Sequence, residues 1–304
     1  LLCKKKANCR LVNSIPKEVT ILDEANLTFL PKSIKNPVEV ENERIAHIKD
    51  GVALTKFICW LKKNVGKIPI TELSAGEKLY SFRAQQENFI DNSFDPIISY
   101  GIHAAINHYS ATSETDIAIE PGNFLLADTG GHYYEGTTDT TRTIVMGSVN
   151  DEQKKYFTAV LRGMLNLGNA KFRYGCTGVN LDYLARGPLW EMGQDFNHGT
   201  GHGVGYLLNV HEGPNSFRWR IIQGDNAVLE EGMITSDEPG YYVENQYGIR
   251  HENLLVCKKA EKTTFGQFMC FEHLTMVPFD LDAVVPELMT VQERALLNNY
   301  HTQV

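Results

Sequence analysis

The sequence predicts an α+β domain built as two similar αβ halves. Two features predict it. Long helical stretches alternate with strand–turn–strand segments, and each of two such hairpins carries a pair of carboxylates. The halves share little sequence, and the chain shows no short repeat and no low-complexity stretch. With 304 residues, 42% hydrophobic and 22% charged, it can bury the core that such a domain needs.

Residues 1–36 read as short strands and turns, with apolar pieces at Arg10–Val12 and Val19–Leu22 that are too small for a core. From Val38 to Val65 the pattern is helical. Ile45, Ile48, Val52 and Cys59 fall on its inward side, widened by Leu54, Ile58 and Leu61. Ser74-Ala-Gly-Glu77 has capping-box spacing and starts a second helix toward Phe89. Phe124–Asp128 and Thr140–Met146 flank Gly130-Gly131 and form the first hairpin. Asn150 caps a third helix, with Phe157, Val160, Leu161, Met164 and Leu165 inward and Gly175 at its end. A shorter helix begins near Asn180. Met233–Ser236 and Tyr241–Val243 lead through Glu244-Asn245-Gln246 to a return over Ile249–Val256, the second hairpin. Thr290-Val-Gln-Glu293 starts the last helix.

The net charge of −8 argues against a nucleic-acid or anionic-membrane partner, since both favour a basic face. No apolar run approaches the ~18 residues of a membrane span. Leu1 is not an initiator methionine, so the chain reads as a fragment or processed piece. Cys3, Cys9, Cys59, Cys176, Cys257 and Cys270 form no C-x-x-C pair and no dense framework, which fits a reduced, cytoplasmic compartment.

Asp128, Asp139, His202, Glu238 and Glu252 sit in Gly-rich or strand-like segments. Four carboxylates and one imidazole make a hard, oxygen-rich set that suits Mn²⁺, Mg²⁺ or Co²⁺ better than a structural zinc. Two divalent ions would neutralise them. If Asp128 faces Asp139, the first turn centres between Tyr133 and Tyr134, with Gly130-Gly131 off-centre. Glu238 and Glu252 have their midpoint at Asn245, inside the second turn. Whether all five converge is for the fold to decide. The segment His198-Gly-Thr-Gly-His202 is too glycine-rich for a helix and is not H-E-x-x-H, which disfavours a zincin mechanism.

Ala127-Asp-Thr-Gly-Gly with Thr138-Asp-Thr-Thr-Arg142, then His198-Gly-Thr-Gly-His202, Asp237-Glu-Pro-Gly240 and Gly248-Ile-Arg-His-Glu-Asn253 resemble the Xaa-Pro aminopeptidases (aminopeptidase P) of the creatinase/methionine aminopeptidase superfamily. Ile106-Asn-His-Tyr109 matches a further motif of that family. The resemblance runs from about residue 38 nearly to the end. It implies the pita-bread fold, two pseudo-symmetric halves with a curved antiparallel sheet holding the metal site and helices outside. Residues 1–36 would be the remnant of a middle domain, and 37–304 the catalytic domain with a truncated C-terminal extension. The resemblance further implies two metal ions, Mn²⁺ in particular. Asp139 and Glu252 would bridge them, Asp128 would complete one, and His202 with Glu238 the other. His108 and His211 would be non-ligand catalytic or substrate-positioning histidines, and His198 and Arg250 would line or brace the site. The implied substrate is a peptide with proline at the second position, and the implied state is a homodimer.

The expected chemistry is attack by a metal-bridged hydroxide. Glu238 would carry the proton to the leaving proline nitrogen, and His211 or His108 would donate to the oxyanion. Tyr241, Tyr242 and His198 are expected walls of a slot for the ring. His103 and His251 stand where smaller residues are usual and are expected to shape the pocket. His47, His132, His273 and His301 are assigned no function. Prolidase and methionine aminopeptidase share the ligand order. The nine-residue step from His202 to His211, followed by Glu212-Gly-Pro214, favours aminopeptidase P. A non-catalytic binding module would have lost ligands, and all five are present here.

Overall fold

Asn36 ends an extended segment, and its side chain accepts from the amides of Val38 and Glu39 while Glu39 reaches back to the Asn36 amide. With Pro37 at the first helical position, this reciprocal cap starts a 28-residue helix, Pro37–Asn64. The computed structural model describes residues 3, 4, 7–24, 26–222, 224 and 226–304. The first helix buries Ala46, Ala53, Leu54, Phe57 and Leu61, but also Glu43, His47 and Asp50. The expected inward stripe is therefore corrected. Ile45, Ile48 and Val52 are 38%, 55% and 43% exposed, and Cys59 is exposed. The inward face is partly polar because its polar groups have partners. Asp50 pairs with Arg83 at 2.7 Å, and Glu43 accepts from the Thr137 amide. An apolar periodicity does not register such pairs.

The second helix is Glu72–Arg83, capped by Thr71 and not by Ser74, which instead answers from the third helical position. It stops at Arg83, and Phe89 already belongs to the strand Phe89–Asn92. Asp151–Gly168 is capped by Asn150 with Gln153 and buries the five expected apolar residues, though it ends at Asn169, well before Gly175. A 3-10 turn, Gly178–Asn180, precedes the helix Tyr183–Trp190. Val291–Gln303 starts from the expected Thr290–Glu293 cap. In the first 36 residues, two short helices, Cys9–Ser14 and Phe29–Ser33, replace the expected strands.

All the sheets are antiparallel. The first places Asn123–Thr129 between Ile97–Tyr100 and Thr140–Met146. Another runs Ile234–Asp237, Asn253–Thr263, Gly266–His273 and Lys171–Arg173. Gly240–Val243 pairs with Tyr247–Arg250 around Asn245, which adopts φ 58°. The two halves meet where the Glu252 amide donates to the Thr141 carbonyl (3.1 Å) and Thr143 exchanges hydrogen bonds with Arg250. Helices cover the outside. Leu54, Phe57 and Leu61 pack on Leu125, Ala127 and Ile144, while Phe157, Leu161 and Leu165 pack in one core with Ile249 and Phe279. No helix of the described residues is long and apolar enough to cross a membrane.

The second hairpin has the expected register. Asp237 opposes Asn253 and Gly240 opposes Arg250, which brackets Glu238 and Glu252 symmetrically. The first is shifted. Asp128 opposes Thr141, and the turn falls on Tyr134-Glu135 because Tyr133 opposes Gly136. Asp139 therefore lies diagonal to Asp128, still on the same face, since side chains two residues apart along a strand share a side.

A Cβ on Gly163 would come 2.1 Å from the carbonyl oxygen of Ala185, so two helices touch backbone to backbone there. Gly163→Ala gains about 1 kcal/mol of helix propensity but loses about 1–3 kcal/mol to overpacking. Its melting temperature should fall in a thermal scan. A rise would show that the helices are spaced more widely.

Candidate metal centre

Strand ends deliver the candidate ligands, and two of them, Asp139 and His202, rely on close backbone approach at a glycine. A Cβ on Gly130 would lie 1.9 Å from the Thr138 carbonyl oxygen, which explains the off-centre glycine pair. It makes room for the strand carrying Asp139. Gly201 does the same for His202, since a Cβ there would sit 1.7 Å from the Ser236 carbonyl oxygen. Asp128 is the penultimate residue of its strand, and Glu238 and Glu252 lie between the paired segments of the second hairpin.

The five side chains converge. Asp128, Asp139 and Glu252 offer ligand atoms within 4.8 Å of one another, as do His202, Glu238 and Glu252. A third such group joins Asp139 and His202 with His211. Glu252 is thus common to two clusters, and Asp139 reaches toward both. His202 Nε2 lies 3.5 Å from Asp139 Oδ2 and 3.4 Å from Glu238 Oε1. Its Nδ1 donates to the Gly203 carbonyl (3.0 Å), which turns Nε2 into the cluster. Thr141 Oγ1 donates to Glu252 Oε2 (2.8 Å) and Ser236 Oγ to Glu238 Oε1 (3.1 Å), which fixes both carboxylates.

The electrostatics call for cations. Burial, followed by the neighbouring Asp128 and Glu238 charges, holds the Asp139 carboxyl well above the usual range. Burial and then Asp139 do the same to Glu252, and burial raises Glu238 against the opposing pull of His202. Asp139 Oδ1 is buried with no hydrogen-bond partner among the described residues. Such an oxygen, aimed into a set of four carboxylates and one lone-pair nitrogen, fits hard divalent ions. Arg250 donates to Asp128 Oδ2 (2.5 Å) and to the Tyr242 hydroxyl (2.7 Å). That hydroxyl donates on to His198 Nε2 (2.9 Å), whose Nδ1 donates to the Gly199 carbonyl. Burial, then the Arg250 charge, pushes His198 down to about 3, so it stays neutral. Part of the His211 ring faces solvent, yet desolvation in the cavity and then His202 lower it to about 4.

A cavity of about 290 Å³ is lined by Asp128, Asp139, His202, Glu238, Glu252, His108, His198, His211 and Arg250, every site residue expected from the sequence. It also takes in Asn107, from the Ile106-Asn-His-Tyr109 motif, and Phe94, Ile97 and Arg218, which no motif or spacing singles out. Of the expected slot walls, His198 lines the cavity. Tyr241 instead stacks on Tyr156 at 3.9 Å within the core, and Tyr242 stands behind Arg250 and His198. His103 hydrogen-bonds Glu72 and stacks on Tyr109, and His251 is buried edge-on against Phe157 and Phe279. Neither shapes the pocket directly, because Glu72 and the aromatic core hold their rings elsewhere.

The chain matches metallopeptidase family M24 over residues 41–259 and the C-terminal region of that peptidase family over 267–304. It is 43% identical over 278 residues to a probable Xaa-Pro aminopeptidase P of Paracoccidioides brasiliensis, covering 90% of this chain and 45% of that protein. A solved X-prolyl aminopeptidase from Caenorhabditis elegans, described as a cytosolic enzyme with a di-nuclear active site, superposes with a TM-score of 0.86. It is 37% identical and covers 91% of this chain and 45% of its own. A prolidase from Pyrococcus furiosus gives a TM-score of 0.67 at 28% identity, covering 82% of this chain and 67% of its own. The chain therefore spans about half the length of the curated relatives it matches.

Raised carboxyl pKa values mean that the metal-free protein carries protons which a cation displaces. Mn²⁺ binding should release protons and tighten as pH rises. Calorimetric titration in buffers of different ionisation enthalpy reads the release, and a heat independent of buffer would show the cluster already ionised. The sign for stability follows. A carboxyl raised in the fold makes the metal-free protein less stable as pH climbs from the unfolded carboxyl value through the folded one. The thermal shift produced by Mn²⁺ should grow over that same window.

Proposed function

Since the chain belongs to metallopeptidase family M24, we propose that it hydrolyses the bond between an N-terminal residue and a following proline. The carrying observation is the pair of ligand clusters sharing Glu252, in a cavity also lined by His108, His198 and His211. The named relatives at 43% and 37% identity support the Xaa-Pro preference. The fold is the pita-bread fold of the structural neighbours.

Two divalent ions fit the residues present, Mn²⁺ on our reading. Asp139 and Glu252 would be shared, with Asp128 on one side and His202 with Glu238 on the other. When bound, such a pair supplies Lewis acidity toward a peptide carbonyl and a water of lowered pKa. The protein supplies the rest. Glu238, half-buried with a raised pKa, is suited to take the water's proton and pass it to the proline nitrogen, which has no hydrogen of its own. Neutral His211 can donate to oxygen charge developing on the carbonyl, and His108 lines the same cavity. Arg250 holds Asp128 at the end of the cavity assigned to the substrate's α-amine. Phe94 and Ile97, in place of the tyrosines expected from sequence, give the cavity an apolar wall for the ring. The same reading makes the protein a cytoplasmic homodimer, in keeping with the cytosolic setting of the nematode relative.

The Mn²⁺-reconstituted chain should cleave Arg-Pro-Pro faster than Arg-Pro. Preference for the dipeptide would make it a prolidase, and inertness toward both with two ions bound would make it a binding module. Asp139→Asn should lose at least one equivalent of metal by elemental analysis and cut turnover by about 10²–10³-fold. Full activity in that variant would remove Asp139 from the shared position.

A further inference from the structure

We propose that Lys35, with Lys32 beside it, is a positioning residue of the metal centre, pinning the loop 203–212 and thereby setting His211 against His202. The inference rests on the peptidase reading, in which His211 faces the reacting carbonyl. It concerns residues that precede the matched family region, which begins at residue 41.

The loop has little of its own to hold it. It leaves His202, turns through Leu208 and Asn209 at φ 63° and 53°, and returns to His211 and Glu212. A left-handed backbone is unfavourable for leucine. Two backbone hydrogen bonds close the loop, Gly205 to Asn209 (3.0 Å) and Glu212 to Gly203 (2.8 Å), while Leu207 and Leu208 face solvent. At its end the His211 ring stands edge-on to His202, with centroids 4.1 Å apart.

Outside the loop, the Val204 amide donates to the Ile234 carbonyl (3.1 Å) and Gly203 bridges Thr235, and the side-chain ties come from residues 32–42. Lys35 is 4% exposed, and its ammonium donates to the carbonyl oxygens of Val204 and Ser33. Lys32 Nζ lies 2.7 Å from Glu212 Oε2, and Asn42 Nδ2 donates to the Tyr206 hydroxyl at 2.8 Å. The segment is itself anchored on the turn that leads into the Glu238 strand. The Lys35 amide donates to the Gly232 carbonyl (3.0 Å), and a Cβ on Gly232 would come 2.2 Å from the Lys35 carbonyl oxygen. A buried ammonium carries a desolvation cost that an apolar side chain would avoid. Here that charge is directed at the backbone two residues past a candidate ligand, with Glu212 and Glu43 attracting it from a distance. Lys35 therefore ties the outgoing arm of the loop and Lys32 the returning one.

The test uses the Mn²⁺-reconstituted chain and Lys35→Met, which keeps the apolar stem. Hydrogen exchange should speed up by about tenfold at the amides of 203–212 and stay unchanged over 253–259. Metal stoichiometry should hold while kcat on Arg-Pro-Pro falls by about tenfold with KM nearly constant, and Lys35→Arg should restore part of both. Because Lys35→Met could fail to fold, Lys32→Met, at a largely exposed site, provides the second arm, with a smaller rise in exchange confined to the same loop. Unchanged loop exchange in the folded variants overturns the proposal. Wild-type protein that binds metal but cleaves nothing overturns the peptidase reading, and the exchange result still decides the pin.

Discussion

Four carboxylates crowd one buried cavity, and the rest of the structure can be understood as the means of holding them there. Left without cations, they repel one another and retain protons, as the raised Asp139 and Glu252 show. Such a cluster cannot stabilise the fold that contains it, so its position has to be imposed from outside. Close backbone approach at Gly130 and Gly201 brings the strands together, and hydroxyls of Thr141 and Ser236 orient the oxygens. Arg250 contributes the positive charge that lies hydrogen-bonded among them.

A second guanidinium works one layer deeper. Arg142 is 1% exposed and directs its donors at the carbonyls of Thr141, Glu252 and Val277, at Asn253 Oδ1 and at the Tyr300 hydroxyl. One rigid fork thus joins the Asp139 strand, the Glu252 strand and the C-terminal helix. Its face also stacks on Phe279 at 4.0 Å. Burial lowers the Arg142 pKa, and nearby Tyr300 and Glu252 partly restore it. The seam between the halves is therefore polar, which suits it to hold fixed geometry at a site where a fluid apolar contact would allow the ligands to drift.

Much of this is readable from sequence, and the failures share a cause. The second hairpin reads correctly because Glu238 and Glu252 are equidistant from Asn245, which can adopt the left-handed turn. The first misleads because the matching distances of Asp128 and Asp139 suggest facing residues, whereas the strands pair with Asp128 against Thr141. The caps at Asn150 and Thr290 are local signals and hold, whereas Thr71, one turn earlier than Ser74, wins the second helix. Phe94, Ile97 and Arg218 reach the cavity through tertiary folding alone. The inward face of the first helix was masked because Glu43 and Asp50 are buried by partners distant in sequence.

The neutral histidines show why Arg250 cannot be replaced by a simple positive charge. One end of its planar fork binds Asp128 and the other the Tyr242 hydroxyl, so the hydroxyl's proton points at His198 Nε2. That fixes the tautomer of His198, with Nδ1 bound to Gly199, and the same positive charge discourages a second proton. A lysine ammonium could neutralise Asp128, but as a point charge on a flexible stem it lacks the geometry to orient Tyr242 at the same time. Charge balance, the position of Asp128 and the tautomer of a cavity wall thus meet at one side chain, which adds to the burial that keeps His198 neutral. The motif Gly-Ile-Arg places that side chain two residues before Glu252, the carboxylate common to two of the ligand clusters.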